Sequence, residues 1–375
     1  MKKFKKSYLV IYIFVAIATL LFSFFTYQKA PQFSAPQDFS SFEYEFIHGE
    51  ITQMPPNFDP LQESTLRVRA NSGLETDSTI SVTLNPLNNY NVYSPGDEVL
   101  IYKSINRETG ETNYEITDFY HQNGLAYIFL IFSIIAIIVA RGKGVTAIVS
   151  VLLSLTLFYF VLLKMISVGY SPLTSALVFT LIVTGLTIPL IHGFNKKSLA
   201  ALIAIIIGYG ASIIVTYVFR DLAQIGSAPG EEFRTFALLY PQISISDILI
   251  ASLFLGAIGA LIDTAISIAS AVFEAIEETK ASFKKVFKIG MEVGKDILGS
   301  MTNTLLFAYL ASSLPFFILL TFSQTGRENA LSELINMDFI ALELTRTFVG
   351  AVSLVILIPI VATLSAYFLV KFKKV

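Results

Sequence analysis

Eight long apolar stretches dominate this sequence and limit the folds that it can adopt. Each approaches the ~20 residues that a helix needs to cross a bilayer. They lie at 7–27, 124–140, 145–166, 172–192, 198–219, 246–273, 300–322 and 344–370. Charged residues make up only 14% of the 375-residue chain, against about 25% in a soluble domain. The sequence therefore predicts an α-helical polytopic membrane protein with about eight transmembrane helices in contact with the lipid bilayer.

The distribution of lysine and arginine predicts which side of the membrane each loop faces. Loops on the cytoplasmic side carry an excess of these residues. If the chain starts inside, the basic clusters fall on one side, at 1–6, 141–144, 192–198, 274–299 and 371–375. The loop 167–172, on the other side, has neither residue. We therefore predict that both termini are cytoplasmic and that residues 1–27 form an uncleaved signal-anchor helix.

Residues 28–123, between the first two predicted helices, differ in character and are predicted to lie outside the cytoplasm. Apolar and polar residues alternate at 64–70, 78–84 and 97–103, which is typical of half-buried strands. The segment is long enough for one small barrel or sandwich, and an OB-like barrel is one candidate. We predict a small extracytoplasmic all-β domain here, followed by a seven-helix membrane domain at 124–375.

A segment at about 277–298 is amphipathic rather than spanning. Phe283, Val286, Phe287 and Gly290 share one helical face, because residues three, four and seven apart lie on the same side of a helix. Lysines flank this face. The pattern predicts a helix that lies in the cytoplasmic interface of the membrane. The alternative is a solvated extension of the sixth span.

The predicted sixth span contains an aspartate, Asp263, in an otherwise apolar stretch. An ionised carboxylate at the centre of a spanning helix costs about 2.5–3.5 kcal/mol on insertion scales. At about 100° per residue, nearly all of the polar and smallest residues of this helix fall within an arc of about 80°. We name them the polar stripe: Ser252, Gly256, Gly259, Asp263, Ser267, Ser270 and Glu274. We expect the stripe to face a second helix, a cavity or an ion rather than lipid.

Other membrane segments offer groups that match this stripe. Asn303 and Thr304 are predicted at a depth close to that of Asp263, and a hydrogen bond between Asn303 and Asp263 is expected. Gly256 and Gly259 are expected to permit close helix packing. Near the outer surface, Arg346 has two predicted ion-pair partners, which are Glu343 three residues earlier and Asp247 on the sixth span. For Asp263 a functional role and a purely structural role both remain open, because a buried polar group can also fix helix packing.

The sequence argues against several classes of protein. The chain has no Cys, and its three His are far apart, so neither a thiolate site nor a histidine-based metal site is expected. It contains no HExxH, GxSxG or Walker motif, and no basic run typical of nucleic-acid binding. We therefore expect no catalytic residues, no cofactor, no metal and no nucleic-acid partner, and we do not expect an enzyme.

Three stretches of the membrane region resemble one known family. "LGAIGALIDTAISIASAVFE" (255–274), "GMEVGKDILGSMTNTLLFAYLASSLP" (290–315) and "ELTRTFVGAVSLVILIP" (343–359) are similar to the YibE/F-like membrane proteins of bacteria. The resemblance implies a multi-pass protein of the bacterial cytoplasmic membrane with an extracytoplasmic β-domain. A looser similarity, to the membrane core of SecD/SecF and drug-efflux permeases, implies coupling of proton flow to an intramembrane carboxylate, although such a core has six spans.

Two hypotheses of function follow. The first is an ion-coupled transporter or permease, in which Asp263 binds the coupling proton or cation with help from Asn303 and Thr304, and Ser267 and Ser270 line the path. The second is a non-transporting scaffold whose outer domain recruits envelope partners. The sequence leaves open a small-molecule or ion substrate and a homo-oligomer or partner membrane protein.

Overall fold

The computed structural model describes residues 42–56, 58–59, 62–85, 91–226, 230–275, 282–323, 332 and 335–371. These residues form two compact units, which are described separately. The first contains a β-domain and one helix and ends at Gly144, and the second contains the helices from Val145 onward. The predicted signal anchor at 1–27 lies outside the described residues.

The β-domain is a closed barrel of five strands. In chain order these are β1 (Phe42–Gln53), β2 (Ser64–Ala70), β3 (Thr79–Leu84), β4 (Glu98–Asn106) and β5 (Thr112–Phe119). Their order around the barrel is β1-β2-β3-β5-β4, and β4 pairs with β1 to close it. The β3–β5 pair is parallel and the other pairs are antiparallel. This arrangement is consistent with a five-stranded OB-like barrel, as expected from the sequence.

Alternation along each strand places one set of side chains inside the barrel. Eight of these aliphatic side chains are at most 1% exposed: Ile47, Ile51, Leu66, Val68, Val82, Val99, Ile101 and Ile116. Gly49 of β1 leaves no room for a side chain, because an added Cβ would lie 2.6 Å from a methyl group of Val68 on β2. The barrel therefore has a hydrophobic core of its own.

A charged layer lies beside this core. Glu45, Lys103 and Tyr114 are neighbours across β1, β4 and β5. Lys103 Nζ donates hydrogen bonds to Glu75 at 2.5 Å and to Glu45 at 3.3 Å. The Tyr114 hydroxyl donates to Glu75 at 3.0 Å. The Lys103 side chain is only 5% exposed, so two carboxylates neutralise a buried ammonium group.

The first helix, α1 (Gln122–Ala140), follows β5 after two residues and belongs to the same unit. It is strongly apolar, and none of its residues is buried. Exposed large side chains are found along its length, from Leu125 to Val139. A helix that crosses a membrane satisfies its own backbone and can present such side chains to lipid. It matches the predicted span at 124–140.

The second unit consists mainly of long apolar helices. They are α2 (Gly142–Ser167), α3 (Pro172–His192), α4 (Lys196–Leu222), α5 (Glu231–Leu239), α6 (Ile245–Ala275), α7 (Phe283–Ser312), α8 (Leu314–Ser323) and α9 (Asp338–Lys371). Within the described ranges six helices are long and apolar enough to cross a membrane, namely α1, α2, α3, α4, α6 and α9. These six match the predicted spans from 124–140 to 246–273 and at 344–370.

The segment predicted as a separate interfacial helix is instead the first half of α7, which runs without interruption from Phe283 to Ser312. Its predicted apolar face exists, since Val286 and Gly290 are buried. That face packs on protein, because an added Cβ at Gly290 would lie 2.9 Å from Ala362 of α9. The glycine lets two helices approach closely, and this contact corrects the prediction of a helix lying in the membrane interface.

The predicted seventh span, 300–322, is divided between α7 and α8. The break falls at Ser313, two residues before Pro315. Proline has no amide hydrogen, and its ring clashes with the preceding helical turn. These properties explain why α8 starts as a separate helix rather than continuing α7.

The central helix of the second unit is α6, which packs against α3, α4, α7 and α9. The core around it contains mainly apolar side chains, including Phe254, Leu261 and Ile268, none of which is exposed. Two hydroxyl contacts link the surrounding helices. Tyr209 of α4 hydrogen-bonds Thr184 of α3, and Ser353 of α9 donates to Ser212 of α4 at 3.0 Å.

Candidate functional site

The polar stripe of α6 is covered in its first turns and open farther along. Ser252 and Gly256 are partly buried, whereas Gly259, Asp263 and Ser267 are exposed. The large apolar side chains around the rest of α6 gain most from burial, so they take up the contacts with neighbouring helices. Among the described residues the first part of the stripe faces a second helix, and the expectation that the rest faces a cavity or an ion stays a prediction.

The covered part of the stripe meets Arg346 of α9. Arg346 Nη1 lies 2.7 Å from both carboxylate oxygens of Glu343, three residues earlier on the same helix. Its Nη2 donates to Ser252 at 3.3 Å. An added Cβ at Gly256 would lie 2.8 Å from Arg346 Cγ, so only a glycine leaves room for this side chain. The predicted pair between Glu343 and Arg346 is thus formed.

Tyr309 of α7 completes this cluster, and the sequence did not lead us to it. Its hydroxyl donates to the backbone carbonyl of Gly256. The centre of the Arg346 guanidinium lies 5.5 Å from the centroid of the tyrosine ring, within the range of a cation–π interaction. The signal available in the sequence was a tyrosine within the small-residue segment "FAYLAS" (307–312) of a predicted span.

The second predicted partner of Arg346, Asp247, does not join the cluster. It lies in the first turn of α6, where a carboxylate interacts favourably with the helix dipole. It makes no ion pair with any residue that the structure describes. In the cluster itself, Glu343 is 5% exposed. Among the buried side-chain atoms of the cluster, Nε of Arg346 is the one without a hydrogen-bond partner in the described part of the chain. The cluster is a neutralised contact that joins α6, α7 and α9.

Asp263 is in a different environment. It lies 18 residues after the start of α6 and 12 before its end, or about 27 and 18 Å along the helix axis. Its side chain is exposed and makes no hydrogen bond or ion pair with the described part of the chain. One turn earlier, an added Cβ at Gly259 would meet nothing within 4 Å. The carboxylate therefore lies beside open space in the middle of a spanning helix.

The neighbouring helix, α7, has a matching gap at the same level. An added Cβ at Gly294 would lie 3.2 Å from Ile268 of α6, which sets the antiparallel register of the two helices. Asp263 lies five residues before Ile268 on α6, and Gly299 lies five residues after Gly294 on α7. Because the helices are antiparallel, Gly299 and Asp263 are at the same height. Gly299 is exposed and also has open space where a Cβ would stand. Gly259 thus leaves space one turn from the carboxylate on α6, and Gly299 of α7 lies at the same height.

The other predicted polar groups lie near this gap without contacting Asp263. By the same register, Asn303 is level with Gly259, one turn away, and no hydrogen bond joins Asn303 to Asp263. The Thr304 hydroxyl donates to the backbone carbonyl of Ser300 at 2.9 Å. Both side chains are exposed. The predicted cooperation of these residues with Asp263 remains a prediction.

Farther along the stripe, Ser267 is exposed and Ser270 is half-buried. The open part of the stripe on α6 therefore offers one carboxylate with a serine hydroxyl one turn away. Such a set can take up a proton or a monovalent cation. No group of three or more His, Asp or Glu side chains that could hold a metal ion occurs within the described ranges.

Comparison with known proteins identifies the family of this chain. No curated protein and no solved structure matches it. Residues 128–371 match the family described as YibE/F-like protein. The match covers well over half of the chain and includes the open part of the polar stripe and the cluster around Arg346. The chain belongs to the YibE/F-like family of membrane proteins.

Proposed function

We propose that this protein is an ion-coupled permease in which Asp263 takes up the coupling proton or cation. It is a non-enzymatic protein of the bacterial cytoplasmic membrane, with both termini in the cytoplasm and the barrel outside. Ser267 and Ser270 line the path on the cytoplasmic side of Asp263, and Asn303 and Thr304 contribute polar groups from α7. The observation that carries this proposal is an exposed carboxylate in the middle of α6 that has no hydrogen-bond or ion-pair partner among the described residues.

The energetic argument starts from the cost of that carboxylate. An ionised aspartate at a helix centre costs about 2.5–3.5 kcal/mol when it faces lipid. The cost falls if the group binds a proton or a cation, or if water or a partner covers it. Asp263 has no fixed positive partner among the described residues. Its charge can therefore be balanced by an ion that binds and dissociates reversibly.

The buried pair of Glu343 and Arg346 provides a contrast within the same helix bundle. Its carboxylate already has a partner at 2.7 Å and is almost completely buried. Taking up a proton there would break an existing ion pair and leave the arginine charge unpaired, which is costly. This pair therefore suits a structural role, and Asp263 suits the exchangeable role.

The packing of α7 on α6 suggests how binding of a proton or cation at Asp263 affects the neighbouring helix. Beyond the gap, α7 packs closely on α6 and α9 through Gly290 and Gly294. Such small-residue contacts allow helices to shift against each other without large side chains in the way. We infer that neutralising Asp263 changes the packing between α6 and α7, which opens the path alternately to the two sides of the membrane.

The proposal can be tested without knowing the substrate, by measuring the electrical charge that the protein moves when the pH or the Na⁺ concentration changes suddenly. Reconstituted full-length protein on a solid-supported membrane should give a transient current after a rapid jump in pH or in Na⁺ concentration. Asp263→Asn should abolish the transient. Asp247→Asn is the matched control and should retain the signal, since Asp247 lies on the same helix and has no ion-pair partner among the residues that the structure describes. A transient that is absent in the wild type or unchanged in Asp263→Asn would refute the proposal.

A scaffold role is the second candidate function. The open part of the polar stripe supports it, because the same surface can bind another helix. A row of small residues with an unpaired polar side chain is also a surface on which a helix of a second copy or another membrane protein can dock. In that case Asp263→Asn retains the hydrogen bonding that the interface needs, whereas Asp263→Leu does not. Loss of assembly with leucine but not asparagine, without any charge movement in the wild type, would favour the scaffold.

A further inference from the structure

The outer face of the barrel carries a row of aromatic rings that the proposed function does not use. Phe42, Tyr44 and Phe46 alternate along β1, and Tyr102 lies opposite Phe46 on β4. Tyr44 and Tyr102 stack with centroids 5.1 Å apart at 18°, and Phe42 stacks on Tyr44 at 6.1 Å. We call these four residues the aromatic shelf. Contiguous exposed apolar patches of this kind commonly mark interaction or ligand-binding sites.

A groove runs along one edge of the shelf. It has a volume of about 280 Å³ and is lined by Phe46, Tyr102, Glu115, Ile116 and Thr117. Its size is close to the lower limit of small-molecule sites, about 300 Å³. Phe46 is 59% exposed, so its ring is accessible. The groove therefore suits a small ligand that packs against aromatic rings beside a carboxylate.

The charge of the barrel favours a cation as that ligand. From Phe42 to Phe119 the sequence has 13 Asp and Glu but only 4 Lys and Arg, a net charge of −9, whereas the whole chain has −2. One of the four cations, Lys103, is already neutralised within the barrel. A field of this sign concentrates cations at the surface and repels phosphates and other anions.

The position of the shelf keeps it clear of the helix that follows the barrel. β5 leads into α1 from Phe119, which pairs with Val99. Tyr102 pairs with Glu115, four residues farther from that junction, or about 13 Å along the strand. Phe46 pairs with Tyr102, and Tyr44 and Phe42 lie still farther from this junction along β1. The rings of the shelf are therefore about 13 Å or more along the strands from the end of β5.

We propose that the groove on the aromatic shelf binds a small organic cation of the alkylammonium class. The positive group packs on the rings of Phe46 and Tyr102 through cation–π attraction, and the Glu115 carboxylate balances its charge. The alkyl part of the ligand rests on the apolar ring surface. This inference does not depend on ion coupling at Asp263, and either can fail without the other.

Titration calorimetry of the full-length protein in detergent tests this directly. The probes are choline, its neutral isostere 3,3-dimethyl-1-butanol, and N-acetylglucosamine. Choline should bind saturably and on the order of tenfold more tightly than its isostere, because only choline carries the charge. Added NaCl should weaken choline binding. Equal binding of choline and its isostere, tighter binding of the sugar, or no binding of choline would each overturn the proposal.

Substitutions then locate the site. Phe46→Leu keeps an apolar side chain but removes the aromatic face, and Glu115→Gln removes the charge. The first should weaken choline binding on the order of tenfold and the second by roughly threefold. Val92→Ala is the matched control, because Val92 is 68% exposed on the same barrel but does not line the groove. An unchanged thermal midpoint confirms that each variant is folded. A choline affinity equal to that of the wild type in both groove variants would refute this location.

Discussion

Arg346 and Glu343, one turn apart on α9, form an ion pair in which one guanidinium nitrogen lies 2.7 Å from both carboxylate oxygens. The glutamate side chain is only 6% exposed. Removing one member leaves the other buried and unpaired, which typically costs about 3–5 kcal/mol. We expect Arg346→Leu to lower the free energy of unfolding by that amount, measured by denaturant titration in mixed micelles.

The double variant separates pairing from packing. Replacing both Glu343 and Arg346 by leucine removes both charges together, so its loss of stability should be smaller than that of Arg346→Leu alone. The exposed pair of Lys288 and Glu292, at 3.7 Å, supplies the control. Glu292→Gln should change stability by no more than about 0.5 kcal/mol. A double variant less stable than the single one would contradict the description of the cluster.

Two glycines of the polar stripe, one turn apart, are expected to respond in opposite ways to the same substitution. At Gly256 an added methyl group would lie 2.8 Å from Arg346 and 2.9 Å from the Tyr309 hydroxyl. Overpacking of this kind costs about 1–3 kcal/mol. At Gly259 the methyl group would enter open space, and alanine stabilises a helix relative to glycine by about 0.5–1 kcal/mol.

The measurement is the thermal midpoint of each purified variant in detergent. Gly256→Ala should lower it, and Gly259→Ala should leave it unchanged or raise it. Equal losses for the two variants would show that the stripe is covered along its whole length, and the open setting described for Asp263 would then be wrong.

The charged layer of the barrel gives a pH dependence. Hydrogen bonding from Lys103 holds the pKa of Glu75 below its usual range, and the same contact raises the pKa of Lys103. The stability that Glu75 contributes is present above the ordinary glutamate pKa of about 4.3 and is lost as pH falls toward the lower folded-state value. That of Lys103 is present below about pH 10.4 and is lost as pH rises further.

Chemical unfolding of the full chain, followed by tyrosine signals of the barrel across the acid range, tests this. Glu75→Gln should flatten the acid loss of stability. Glu63→Gln is the control, because Glu63 is exposed, and it should leave the loss in place. An acid profile unaffected by Glu75→Gln would contradict the assigned linkage.

Most of the architecture could be predicted because it depends on local patterns. Apolar stretches located all six spanning helices that the structure describes, and alternation located the barrel. The break in the seventh predicted span agrees with Pro315, which predicts a bend toward the outer end of that helix. The continuity of α7 could not be read from amphipathicity alone, because an apolar face packs equally well on lipid and on another helix.

The sequence located the polar residues of α6 but not the direction in which the folded helix presents them. A polar stripe on α6 predicted a second helix, a cavity or an ion beside it, because exposure to lipid is costly. The competing effect, burial of the large apolar side chains of α6, left Gly259, Asp263 and Ser267 on the open side. The pairing of Arg346 with Glu343 rather than Asp247 follows from spacing within one helix, which the sequence does show. The contribution of Tyr309 depends on the approach of α7 to Gly256, which no local pattern reveals.

The accessibility of the open stripe tests the central claim most directly, and the absence of native cysteine makes the experiment clean. Single variants Gly259→Cys and Ser267→Cys are compared in native membranes with Ala265→Cys and Ala269→Cys, whose positions are 0% exposed. A membrane-permeant thiol reagent that requires water is applied with and without a proton gradient. We predict labelling at 259 and 267 that changes with the gradient, loses this change in Asp263→Asn, and is absent at 265 and 269. Labelling that is absent at all four positions, or indifferent to the gradient, would contradict an ion path at Asp263.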